Sequence, residues 1–146
     1  MNNSRLRLSL ISAALVATFA PASPVLADMV NYKADLKGAS EVPPSDSKGM
    51  GTVAVTYDSA SKKLTWKGSY TGLTGPSTAA HFHGPADVGK NAGVAVPIAP
   101  ATSPLAGMAT LSDAQAADLA AGKWYVNVHT AKFPNGEIRG QIVKGK

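Results

Sequence analysis

The chain has 146 residues, of which 45% are hydrophobic and 16% charged, with 3 histidines and no cysteine. Its formal net charge is +5, but the lysines are scattered and Arg5, Arg7 and Arg139 are the only arginines, so the clustered basic stripe of a nucleic-acid binder is missing. Without cysteine, thiolate metal sites, thiol catalysis and disulfide staples are excluded, and a domain of this size must be held by its core alone.

In chain order, Arg5 and Arg7 precede an uncharged apolar run from Leu8 to Ala20. Pro21 and Pro24 break that run, and Val25-Leu26-Ala27 stands before Asp28. This is the layout of a secretory signal peptide. The run is shorter than the about 20 residues needed to cross a bilayer. Residues 1–27 are therefore expected to be a leader and residues 28–146 a single exported domain, periplasmic or secreted, with no membrane span. Loss of Arg5 and Arg7 with the leader reduces the positive charge of the remainder.

Past the leader, short alternating segments follow one another with turn formers between them. Asn31 to Leu36 alternates weakly. "GTVAVTY" (51–57) and "KLTWKGSY" (63–70) alternate more clearly and flank Asp58-Ser59-Ala60-Ser61-Lys62, which predicts a hairpin. "AAHFH" (79–83), "GVAVPI" (93–98) and "GMATL" (107–111) are further strands. Ser112-Asp113-Ala114-Gln115 has the form of a capping box, and the alanine-rich stretch up to Gly122 predicts one short helix. "KWYVNVHT" (123–130) and "EIRGQIV" (137–143) close the chain, joined through a Pro-Asn-Gly turn. The pattern predicts an all-β fold: an antiparallel Greek-key β-sandwich or barrel with one short helix.

Side chains on a strand alternate between its faces. Ala80 and Phe82 then face the core, and His81 and His83 share the other face. Trp124, Val126, Val128 and Thr130 likewise face inward, leaving Tyr125, Asn127 and His129 outward. On the last strand Glu137, Arg139 and Gln141 are expected to point out. All three histidines thus fall on non-core faces. Two of them at i and i+2 have Cα atoms about 6.7 Å apart, close enough for both imidazoles to reach one ion. Neutral imidazole suits copper and zinc. His81, His83 and His129 are therefore candidate metal ligands, provided that their strands are neighbours. Water, Glu137, Asp87, Met50 and Met108 are the candidates for a fourth position.

Four blocks carry a resemblance: "LKGASEVPP" (36–44), "AAHFHGPADVGKNAGVAVPI" (79–98), "LAAGKWYVNVHT" (119–130) and "FPNGEIRGQI" (133–142). Together they resemble the CHRD domain, first described in chordin and found in many exported bacterial proteins. The resemblance extends from about Tyr32 to Val143. It implies an immunoglobulin-like or Cu/Zn-superoxide-dismutase-like β-sandwich, and a role in binding rather than catalysis. The residues matching its motif most closely are His81, His83, Gly84, Pro85, Asn127, His129, Thr130, Gly136, Glu137, Arg139, Gly140 and Gln141.

Two functions follow as expectations. One is an exported metal-binding protein, copper favoured over zinc, that stores, buffers or delivers the ion and meets an envelope or extracellular protein. The alternative is a metal-free extracellular interaction or adhesion module, with Tyr125 and Phe133 as exposed aromatic contacts. The sequence does not point to an enzyme. Three histidines are too few for a bridged copper–zinc pair, and no G-x-S-x-G elbow is present. A mononuclear copper centre with an open position leaves slow redox chemistry open.

Overall fold

The structure is a computed structural model and describes residues 28–145; the expected leader, residues 1–27, lies outside the described residues. The first half contains β1 (Met29–Lys37), a 3₁₀ turn (Gly38–Ser40), β2 (Met50–Asp58), β3 (Lys63–Thr71) and β4 (Ser77–His83). It continues with β5 (Val94–Pro97), β6 (Leu105–Thr110), α1 (Asp113–Ala120), β7 (Tyr125–Thr130), β8 (Ile138–Gln141) and β9 (Val143–Lys144). Among the described residues no helix is long and apolar enough to cross a membrane.

The nine strands of the described residues belong to one antiparallel sheet in the order β5-β4-β7-β8-β1-β2-β3-β6, with β9 beside β1. The sheet curls into a nearly closed barrel whose free edges are β5 and β6. The neighbours β4 and β7, β8 and β1, and β3 and β6 are not consecutive in the chain, which gives the crossovers expected of a Greek key. A single register pair, Lys37 opposite Arg139, joins β8 to β1.

Local chemistry accounts for the elements. The β2–β3 turn closes because Asp58 Oδ1 accepts from the backbone of Ala60 and Ser61, while Lys62 takes a positive φ of 57°. At α1 the capping box forms as expected: Ser112 accepts from the Gln115 N–H and the Gln115 side chain accepts from the Ser112 N–H. Leu119 is the buried residue of that helix, and Gly122 ends it with φ +71°. The last segment is interrupted where one strand was expected. Ile142 donates its N–H to Trp124 O, and the chain then transfers to β1 as β9.

The apolar residues expected inward on β4 and β7 reach the core, whereas Thr130, expected with them, is buried against the Glu137 carboxylate. Val53, Val55, Leu64 and Trp66 meet Ala80, Phe82, Val126 and Val128 in one apolar cluster. Phe82 is its pivot: the edge of one ring meets the other at 5.1 Å from Trp66, and Trp124 stands 6.1 Å away.

The other face of β4, β7 and β8 departs from expectation. Every residue of β7 is buried, Tyr125, Asn127 and His129 included. Glu137 and Arg139, expected to point into solvent, are 0% and 2% exposed. Three loop segments cause this: residues 84–93 and 131–137 bond to that face through the carbonyls of Lys90, Ala92 and Pro134, and residues 41–49 bond to Glu137 through the Ser45 and Ser47 hydroxyls. The result is a second interior, polar rather than apolar, beneath the loops.

Candidate metal centre

The antiparallel β4–β7 register places Asn127 opposite His81, Ala79 opposite His129 and Tyr125 opposite His83. Because Phe82 is anchored in the core, His81 and His83 are both turned to the polar side. His129 reaches His81 along the diagonal. Nδ1 of His81 lies 3.1 Å from Nε2 of His129. One nitrogen from each of His81, His83 and His129 lies within 4.8 Å of the others. The adjacency that the three-histidine set required is present.

Each ring is fixed by what its other nitrogen touches. His129 Nδ1 stands 2.9 Å from Pro134 O, and His83 Nδ1 3.0 Å from Ala92 O. A carbonyl oxygen accepts and never donates, so Nδ1 of His129 donates to Pro134 O, whereas both nitrogens of His83 face carbonyl oxygens. A backbone acceptor behind a ligating imidazole is the usual way in which metal sites set tautomer and orientation. His83 has one further partner: the Asn127 amide, with Oδ1 3.0 Å from Nε2. The His83 ring is also stacked face to face on Tyr125, with centroids 4.8 Å apart and planes 5° apart. On the opposite face of Tyr125 the Arg139 guanidinium sits 3.4 Å from the ring centroid. Arg139 in turn donates to Asn91 Oδ1 and Lys90 O, and the Tyr125 hydroxyl meets Ala92, so the 84–93 loop is fastened at several points.

Protonation favours the ligating form. Burial, reinforced by His129 and His83, pushes the His81 pKa below its ordinary value. Burial also lowers that of His83, against the opposing effect of Ala92 O and Asn127. Neutral imidazole is the metal ligand.

The donor set fits an ion that accepts nitrogen. Two nitrogens bound at about 2.0–2.1 Å to one ion are at most about 4.1 Å apart. The His81–His129 separation meets that limit, whereas a spread of 4.8 Å across the set exceeds it. A nitrogen pair at that 4.8 Å bound would have to close in by about 0.7 Å to share one ion. Both nitrogens of His83 are engaged by hydrogen bonds.

The candidates for a fourth protein ligand lie elsewhere. Glu137 precedes β8, so the strand alternation does not reach it, and its carboxylate accepts from Thr130 at 2.5 Å, from Ser47 at 2.7 Å and from the Thr74 hydroxyl and N–H at 2.8 Å. Burial raises its pKa, but these donors outweigh burial and hold the carboxyl below the usual range. Asp87 faces Lys123 at 3.8 Å. Met50 and Met108 are exposed on β2 and β6, in the other half of the sheet. Tyr125, expected as an exposed partner contact, is buried by its stack and by the loop above it.

Two residues escaped the sequence reading. Glu41, within the "EVPP" block, is only 5% exposed, and its Oε1 has no hydrogen-bond partner. Burial pushes its pKa up to about 7, even though Arg139 and the Val42 N–H act against the rise. Asn127 was expected on the outer face without a role. The signal for Glu41 was a lone acid set among Val42, Pro43 and Pro44, a stretch with no strand period to place it. Gly136 lets the two approach one another: it has φ +131°, and a Cβ there would stand 2.7 Å from Asn127 Nδ2 and the same distance from the Glu41 carboxyl carbon.

A nearly closed antiparallel barrel with three convergent imidazoles beside its loops defines a small β-domain whose distinctive feature is a histidine cluster compatible with metal binding. Its family follows from the sequence as a whole. The chain belongs to the CHRD domain family, whose model matches residues 32–142. No curated protein and no solved structure matches it.

Proposed function

We propose that this protein binds one metal ion, copper ahead of zinc, through His81, His83 and His129, and that it stores, buffers or delivers the ion outside the cytoplasm. The observation that carries this reading is the convergence of one nitrogen from each of the three rings within 4.8 Å. The donor chemistry supports copper. All three candidate ligands are imidazoles, and copper stands above zinc in the divalent affinity order for such donors. The Arg5–Ala27 segment, with its charged start and apolar run, supports export.

His129 supplies Nε2, with its Nδ1–H held by a backbone carbonyl, His83 supplies a ring nitrogen, and His81 supplies the nitrogen facing His129. A bound ion supplies Lewis acidity and, for copper, one-electron chemistry. The chain's own residues set the tautomer of His129 and shield the rings from solvent.

The test is to load the processed protein with Cu(II) at neutral pH, desalt it and count the copper retained. One equivalent is expected in the wild type and less than a tenth of one in His83→Ala. Equal, substoichiometric copper in both proteins sinks the idea.

A further inference from the structure

Arg139 is a buried cation with no carboxylate bonded to it. It is 2% exposed, yet the ion pairs among the described residues all join exposed lysines to exposed aspartates. Burying a charge is costly unless it is paired and fully hydrogen-bonded. Here Tyr125 covers one face of the guanidinium, which donates to Asn91 Oδ1 and Lys90 O. Its Nε–H and the second hydrogen on each terminal nitrogen have no acceptor among the described residues.

The strand register puts more beside it. Lys37 stands opposite Arg139, so the two side chains leave the same face of the sheet, and Gln141, two residues further on, leaves it too. All three border a cavity of about 470 Å³ between the 39–44 and 88–89 segments. Val42, Pro44 and Val88 give it apolar walls, and Val88 is 78% exposed. Glu41 is the one acid among the lining residues, but its carboxyl is turned aside against Gly136, which does not border this cavity.

We propose that this cavity binds a small organic carboxylate, held through its oxygens by Arg139 with Lys37 beside them, its hydrocarbon part lying against Val42, Pro44 and Val88. The site is separate from the histidine cluster and does not rest on the metal reading.

The class of ligand follows from the chemistry of the walls. The flat fork of a guanidinium matches the two oxygens of a carboxylate and gives the stronger, charge-assisted kind of hydrogen bond. A bound anion would supply the counter-charge that the buried guanidinium lacks. The apolar walls have no use for a bare inorganic anion, but they take a short alkyl chain out of water. The volume is within the range of small-molecule sites. Glu41 opposes the guest, though burial, which pushes its pKa up to about 7, leaves it only partly charged at neutral pH.

The test is to titrate hexanoate into the metal-free processed protein at neutral pH and follow backbone amide shifts by NMR. Saturable shifts are expected at Ala39, Val88 and Gly89. Acetate, with the charge but no chain, should bind more weakly, and hexylamine and inorganic phosphate should not bind there. Arg139→Gln should weaken hexanoate by about tenfold or more, the worth of a hydrogen bond to a charged group. Lys37→Gln, on the surface, should weaken it about twofold to threefold, and Glu41→Gln should tighten it by a similar factor.

No saturable shift with hexanoate overturns the site. So does phosphate or hexylamine binding as well as hexanoate, or weaker binding in Glu41→Gln, which would mark a guest that is not an anion. If Arg139→Gln does not fold, the Lys37 and Glu41 variants decide: affinities equal to wild type in both overturn the assignment.

Discussion

His81 Nδ1 and His129 Nε2 stand 3.1 Å apart although the residues are 48 positions apart in the chain. The distance is a product of register. His81 pairs with Asn127 and Ala79 with His129, so the two rings meet on the diagonal of one strand pair, within reach of long side chains. On the proposed reading, replacing either residue removes a ligand rather than a support. His129→Ala and His81→Ala should each lower copper affinity by more than the roughly 10- to 100-fold typical of outer partners. Chelator competition checks this, with circular dichroism to show that the barrel is intact.

The same rings make the metal-free protein sensitive to acid. His81 and His83 have folded pKa values below the ordinary 6.5, chiefly through burial. As pH falls past 6.5 the unfolded chain takes up protons first. The stability contributed by the neutral rings is therefore full above that value and is lost as pH falls through the depressed folded values. Thermal midpoints of the metal-free protein should fall from about pH 7 to about pH 5, and fall less in the His81→Gln, His83→Gln double variant. An unchanged slope in that variant would remove the histidines as the cause.

Glu41 acts in the opposite sense. Its folded pKa is raised from 4.5 to about 7. The folded state therefore holds a proton that the unfolded state has released. The favourable contribution is complete below 4.5 and is lost as pH rises through about 7. Glu41→Gln should match the wild type near pH 4 and be the more stable by a few degrees above pH 7, roughly what one kcal/mol does to a domain of this size. Parallel melting curves at the two pH values would count against the buried carboxyl.

Glu137 is a structural carboxylate, and its removal should separate stability from metal. It is 0% exposed and holds Thr130, Ser47 and Thr74 together across three segments. Its pKa is held below the usual value, so its contribution is present above about 4.5 and is lost as pH falls through the depressed value. Glu137→Gln should cost at least about 1.5–3 kcal/mol in urea unfolding at neutral pH, since hydrogen bonds to a charged acceptor are broken in a buried place. Copper stoichiometry should not change. A loss of copper without a loss of stability would place Glu137 at the ion after all.

Much of this molecule is legible in its strand alternation. The period of two in "AAHFH" identifies Phe82 as the anchor and turns His81 and His83 together, and the capping box at Ser112 and Gln115 places α1. What alternation could not tell was how the reverse face is covered. A polar residue such as Asn127 reads as solvated, because nothing periodic marks the 41–49, 84–93 and 131–137 segments that bury it. Glu137 was misplaced for a related reason: the period was extended one residue beyond the true start of β8. Glu41 lies in a loop, where side-chain direction is set by turns and by distant partners rather than by any repeat.

The loop carbonyls of Ala92 and Pro134 hold His83 and His129 from behind, while His81 stays partly open to solvent. On the proposed reading, His81 is the ring that an ion would meet first, and the two braced rings would receive an ion that is already held.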